Sequence, residues 1–227
     1  MTQPHSHDVA LRMAELARSV ASPRSLDDVL AGVTAAAKGS IPGVETACVL
    51  LVGPGEKFES LAGIGELPHE LDELQMKFDE GPCRQAALKD LVVRTDDFRL
   101  ETRWPQYSPA CVNLGVLSGL SFKLYTAERT AGALNLFSFQ PNSWDDEAET
   151  IGTILAAHAA SAILASRQHE QLKSALSTRD RIGQAKGIIM ERYKVDDVQA
   201  FEMMRRLSQD SNTRLVDIAG KVIDTRD

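Results

Sequence analysis

At 227 residues, 43% of them hydrophobic, the chain has room for two modest domains and the composition of an ordinary globular protein, so a folded, soluble protein is expected. Its formal net charge of −7, taken over the whole chain, argues against a polyanionic partner. Three cysteines, Cys48, Cys83 and Cys111, are an odd number without CxxC spacing, which argues against a disulfide framework and a structural zinc site and leaves buried thiols as the simplest reading.

The N-terminal MTQPHSHDVALRM has neither a basic n-region nor an unbroken apolar h-region, and no run of about 18 apolar residues follows, so no membrane association and a cytoplasmic location are expected. His5 and His7 read as chain-end residues and not as ligands. Val9, Met13, Leu16 and Val20 are spaced for a first helix. A second begins after Ser25, placed as its N-cap before Asp27 and Asp28, and stops at Pro42-Gly43. Glu45 to Val52 and Phe58 to Ala62, separated by a turn at Gly53-Pro54-Gly55, predict two antiparallel strands. A helical excursion from Leu67 to Asp90, broken at Gly81-Pro82, precedes a short strand at Leu91-Val92-Val93. After a further excursion, Gly119 to Tyr125 and Ala131 to Phe139 flank a turn at Glu128-Arg129-Thr130 as a second hairpin. The order predicts an α+β domain, its antiparallel sheet covered by helices on one face.

The run DEGPCRQA from Asp79 to Ala86, the strand VLSGLSFKLY and the segment AGALNLFSFQPNSWDDEA give this part, residues 1–144, a pattern that resembles the GAF domain. The resemblance implies a sensor of small molecules or redox state without naming its ligand. Trp104, Tyr107, Phe122 and Phe137, with Cys83 and Cys111, are the candidate pocket lining, and a core filled by the same side chains is the simpler alternative. Cys83 stands where a helix starts, a place that can lower a thiol pKa, against the plain alternative of a buried thiol.

Residues 145–176 carry helix formers with Gly152 as the one interruption, and predict a long connecting helix. Leu155, His158, Ala162, Ala165, His169, Leu172 and Leu176 alternate three and four apart, the spacing of a coiled-coil seam between two chains. The two histidines and the small alanines make that seam weak.

Residues 177–227 predict three short amphipathic helices with breaks near Lys194 and Asn212. Ile182, Ala185 and Ile189 form one stripe, Val198, Phe201, Met204 and Leu207 a second, and Leu215, Ile218, Ala219, Val222 and Ile223 a third. Asp196 and Gln199 are spaced for a capping box ahead of the middle helix. Such helices bury their stripes only against one another, so a small bundle is expected. The runs RIGQAKGIIMERYKV and AFEMMRRLSQDSNTRLVDIA within it resemble the ANTAR domain, an RNA-binding module of bacterial transcription antitermination regulators. Together the two resemblances are those of GAF–ANTAR regulators of actinobacterial type, in which the tail of a dimer captures paired RNA stem-loops so that a competing terminator cannot form.

Dividing the charge along the chain reconciles it with such a partner in sign: residues 1–166 hold 13 Lys and Arg against 22 Asp and Glu, a balance of −9, and residues 167–227 hold 12 against 10, a balance of +2. Arg214 and Lys221 are seven apart on the third helix, and with Arg205, Arg206 and Lys186 they form a candidate cationic surface around the turn from Ser208 to Thr213. A solvated charged face is the alternative reading. Guanidinium groups stack on unpaired bases and bind phosphate, while Gln184, Ser208 and Asn212 can read base edges or a 2′-hydroxyl. Gly183 and Gly187 each cost a helix roughly 1 kcal/mol relative to alanine, so something comes close to them, either another helix of the bundle or the RNA backbone. The flanking charges exclude a membrane use of that GxxxG.

Two rival functions remain open on the sequence. A thiol reductase of free methionine sulfoxide would use Cys83 and Cys111 as attacking and resolving thiols, and a tail that only docks protein would bind no RNA.

Overall fold

The structure is a computed structural model that describes residues 25–52, 58–88, 90–125 and 130–225. The helix expected over Val9 to Val20, the residues His5 and His7, and the turns at Gly53-Pro54-Gly55 and Glu128-Arg129 lie outside those residues. The chain divides into two compact units, residues 1–166 and 167–227.

In the first unit, helix α1 (Leu26–Ser40) begins where the sequence places it, with both halves of a capping box present: the Ser25 hydroxyl accepts the Asp28 amide and the Asp28 carboxylate accepts the Ser25 amide. Strands β1 (Thr46–Val52), β2 (Phe58–Leu61), β3 (Val92–Thr95), β4 (Ser118–Tyr125) and β5 (Thr130–Ser138) form one sheet in the order β2-β1-β5-β4-β3. Every neighbouring pair is antiparallel. Helices α2 (Leu67–Phe78), α3 (Pro82–Leu88) and α4 (Tyr107–Asn113) occupy the two excursions, and α5 (Asp146–Tyr193) follows the sheet.

The sheet is covered on both faces, not on one as expected. The reason is in β1, TACVLLV, where six successive residues are buried: a strand apolar at odd and even positions has no face to give to water. On one side Val49, Leu51, Leu120, Phe122, Leu134 and Leu136 meet α1 and the first part of α5. On the other, Cys48, Leu50, Val93, Ala133 and Phe137 meet residues of α2, α3 and α4.

Helix α5 runs 48 residues, with the Asp145 carboxylate accepting the Ala148 amide at its start. The first half of the predicted seam is not free for a second chain. Leu155 and Ala162, with Ile151, Ala159 and Ile163, are buried in the first unit, because a three-and-four repeat marks a core-facing stripe whatever covers it. Further along, Leu172 and Leu176 are 61% and 52% exposed. By length and composition an 18-residue window of α5 could cross a membrane, and half of that window is buried inside the protein as a core helix.

The second unit packs the last turns of α5 with α6 (Asp197–Asp210) and α7 (Leu215–Asp224). Lys194, in the left-handed region at φ 56, turns the chain out of α5, and Asp196 and Gln199 close the expected capping box on α6. Ala185, Ile189, Ala200, Met204, Ile218 and Ala219 are the buried centre, with Phe201, Leu215, Val222 and Ile223 packed around it. Val198 and Leu207 do not join the ridge assigned to them: they are 68% and 52% exposed, because the small Ala200 takes the inward position beside Met204.

Close packing of α5 on the sheet is sharpest at Gly152, where an added Cβ would collide with the Phe122 ring. Gly152→Ala should therefore lower the stability of the first unit by about 1–3 kcal/mol in urea titration, in spite of alanine's better helix propensity. A midpoint that stays or rises would show that the helix does not rest on that ring.

Candidate functional site

Two sets of residues carry chemistry, one in each unit. In the first, antiparallel register puts Cys48 of β1 and Ser121 of β4 on either side of Asn135 of β5, a polar row in the middle of an apolar sheet. Asp72 of α2 is fully buried above it, its Oδ2 3.4 Å from the Cys48 Sγ, and the Gln75 side-chain amide donates to its Oδ1 at 3.2 Å. The Gln75 Oε1 in turn accepts the Cys83 amide at 2.9 Å. Gly81, at φ 127, leaves the space that the Gln75 side chain fills. Burial pushes the Asp72 carboxyl from its ordinary value near 3.8 up to about 6, its hydrogen bonds offsetting only part of that cost. Ser108 Oγ, Ser121 Oγ and Asn135 Oδ1 are buried without a hydrogen-bond partner among the described residues.

Of the expected pocket lining, Cys83, Trp104, Tyr107, Cys111 and Phe137 share this compartment with Phe98. Their rings interlock edge to face, Phe98 and Tyr107 at 6.0 Å and Trp104 and Tyr107 at 6.4 Å, as a packed core does. Phe122 does not join them, because alternation along β4 puts it on the opposite face, against Leu134 and α5. For Cys83 the geometry favours the buried-thiol alternative over the reactive one: it is fully buried, and burial pushes its thiol well above the ordinary range. Burial likewise raises Cys48, and it pushes Cys111 up to about 12. Asp72, Gln75 and Asn135 escaped the sequence reading, as did the place of the buried thiol Cys48 among them. For Cys48 and Asn135 the available signal was a polar residue at an inward position of an apolar strand, and Asp72 and Gln75 of α2 carried none.

In the second unit the turn between α6 and α7 is braced from within. Ser208 Oγ donates to the Thr213 carbonyl at 2.6 Å, the Thr213 amide donates to the Ser208 carbonyl, and Asn212 takes the left-handed region at φ 48. Arg205 pairs with Glu202 at 2.7 Å and Arg214 with Asp217 at 2.9 Å, each three residues along its own helix and exposed. Lys186 pairs with Asp197. Arg206 and Lys221 are exposed and make no ion pair among the described residues. Arg181 lies with its guanidinium over Gly220 of α7, where a Cβ would collide with it. Gln184, also exposed, stands between two open concavities of the α5 surface, of about 440 and 770 Å³.

A family model described as a GAF domain matches residues 23–164, and one described as an ANTAR domain matches residues 170–223. No curated protein matches the chain. Among solved structures it is similar to the GAF domain of a phosphoenolpyruvate-protein phosphotransferase from Coxiella burnetii, at 16% identity over 72% of this chain and 96% of that one, with a TM-score of 0.60. The GAF domain of the Acinetobacter phosphoenolpyruvate-protein phosphotransferase is similar at 15% identity, 69% and 93% coverage and a TM-score of 0.55. Free methionine-R-sulfoxide reductase from Neisseria meningitidis, in complex with its substrate, is similar at 21% identity, 71% and 93% coverage and a TM-score of 0.52. At such identities the likeness is one of fold.

The buried carboxyl makes a pH prediction. With its folded value raised above the unfolded one, Asp72 binds its proton more tightly in the folded state, so the stability that neutral Asp72 provides is present below about pH 4 and lost as pH rises through 6. The difference in unfolding free energy between Asp72→Asn and the wild type should therefore shift in favour of the variant over that window, by on the order of 2–3 kcal/mol. Parallel pH–stability curves for the two proteins would show that Asp72 does not titrate there.

Proposed function

The chain belongs to the GAF domain family and carries an ANTAR domain after its GAF domain, and on that premise we propose that it is a signal-responsive regulator whose tail binds stem-loops of nascent transcripts and so prevents transcription termination. A sensing domain followed by an RNA-binding antitermination domain is regulatory in kind, not catalytic. The observation that carries the reading is the ANTAR match over residues 170–223, which falls on a helical unit with a core of its own. In this reading the GAF domain receives a small-molecule signal, α5 leads to the tail, and two tails of a cytoplasmic homodimer hold paired stem-loops.

With a balance of only +2 over residues 167–227, affinity rests on placement and not on diffuse attraction. Arg205, Arg206, Arg214 and Lys221 meet phosphate around the Ser208–Thr213 turn, Lys186 lies at the opposite end of α6, where it pairs with Asp197, and Gln184, Ser208 and Asn212 read bases. In the exposed pairs Arg205–Glu202 and Arg214–Asp217 water competes for both partners, so exchanging the carboxylate for phosphate costs little. A sulfoxide reductase is disfavoured by Cys83 and Cys111 themselves, whose thiols burial holds protonated.

Alanine at Arg205, Arg206 and Arg214 together should weaken binding of RNA with two adjacent stem-loops and reduce the salt slope by about one unit per lost phosphate contact, in gel-shift titrations at several salt concentrations. Unchanged binding by a variant still helical by circular dichroism would remove the turn from the interface, and a wild type that binds no RNA at any salt concentration would leave the tail a protein-docking bundle.

The exposed Leu172 and Leu176 are the proposed contact between two copies of α5. Leu172→Glu with Leu176→Glu should sediment as a monomer and bind paired stem-loops more weakly through loss of avidity. An unchanged dimer would place the contact elsewhere.

A further inference from the structure

The strongest unexplained feature of the second unit is a groove along α5, made of two concavities that share Gln184, with a glycine lining each. Gly183 and Gly187 sit one helical turn apart at exposed positions, and among the described residues nothing beyond the helix's own neighbouring backbone lies within 4 Å of where a Cβ would stand on either. No helix of the bundle therefore requires them, although alanine would serve the helix better at both places. Gln184 stands between them and lines both concavities. Its side chain makes no hydrogen bond among the described residues, so both faces of the amide, donor and acceptor, are open to a partner. Arg179, Asp180 and Lys186 line the smaller concavity and Glu191, Arg192 and Lys194 the larger, with Lys186 paired to Asp197 and Lys194 to Glu191 in surface ion pairs. The Arg192 guanidinium is already held, donating to the Thr225 carbonyl at 3.0 Å.

We propose that this groove is where the tail reads its RNA: a nucleotide lies directly on the α5 backbone across Gly183 and Gly187, its base edge taken by the Gln184 amide and its phosphates by the cations on either side. This rests on the reading of the tail as an RNA-binding unit and adds the seat of recognition, away from the arginine-lined turn. Two glycines flanked by the apolar Ile182, Phe201, Ile188 and Ile223, with basic side chains at the rim in exchangeable surface pairs, suit a base that stacks close to the helix backbone, which needs the clearance that a methyl group would fill. An amide with both of its hydrogen-bonding faces free can bind a base edge through two bonds at once, which gives selectivity for the base in addition to affinity.

The groove makes binding and stability change in opposite directions. The test uses the full-length chain and a tandem stem-loop RNA selected on the wild type from a library with randomised loops. Gly183→Ala and Gly187→Ala should each raise the melting temperature, since both positions are open helix interior, and each should weaken the selected RNA by about tenfold or more. Gln184→Ala should lose preference for the selected loop over an unrelated one while keeping its affinity for the unrelated one. Glycine variants that are more stable and bind the selected RNA as the wild type does overturn the placement and leave RNA binding by the tail standing. Glycine variants whose oligomeric state changes while RNA binding does not make the face a contact between copies and overturn it as well. A library that yields no binder on the wild type overturns the function itself, and this placement with it.

Discussion

A central strand that is apolar on both sides imposes the architecture of the first unit. Strand β1 has neighbours on both edges and buried residues at successive positions, so water must be kept from two faces at once. The chain meets this with two different coverings. One is long and aliphatic, made by α1 and the start of α5 on Leu120, Phe122, Leu134 and Leu136. The other is short, irregular and partly polar, made by α2, α3 and α4 on Cys48, Leu50 and Phe137. The first is suited to holding shape. The second holds a buried carboxyl and several polar atoms without partners among the described residues, which is costly for a core that has no other use.

What was legible in the sequence was local. Ser25 announces its N-cap, and Asp196 with Gln199 its capping box, without reference to anything distant. The hairpins, the breaks at Lys194 and Asn212 and the stripe of Leu215, Ile218 and Ala219 follow in the same way. What was not legible depended on register and on partners far along the chain. No pattern within VLLV or ALNLF says that Cys48 stands beside Asn135, since that follows from the pairing of β1 with β5. Spacing alone did not separate the part of α5 that is buried on the sheet from the part that is exposed, because a stripe of Leu155 and Ala162 looks the same against a sheet as against a second helix. Val198 and Leu207 failed for the converse reason: hydrophobicity counted for more than size, and Ala200 fits the narrow space that a larger side chain cannot.

Charge shows the same difference between total and arrangement. Ten acidic residues nearly cancel twelve basic ones in residues 167–227, yet several of the acids stand three residues from an arginine or lysine on the same helix surface. Exposed pairs of that kind keep the side chains extended and the unit soluble without committing the cations, since water competes for both partners. A nearly neutral unit can thus present cations to one face of a polyanion and carboxylates elsewhere. Salt would act on it less than on a strongly basic binder.

The centre of the second unit is unusually small, and that has a thermodynamic meaning. Three of its six buried residues are alanines, Ala185, Ala200 and Ala219, which let the helices approach closely but remove little apolar surface from water. Such a unit has a small reserve of folding free energy, so any ligand that selects the folded form contributes a large share of the total, about 2.7 kcal/mol at one hundred times its dissociation constant. Occupancy and foldedness then rise together with the concentration of the ligand. The unit behaves as a titratable element whose lifetime against unfolding and proteolysis is set by how much of its partner the surroundings contain.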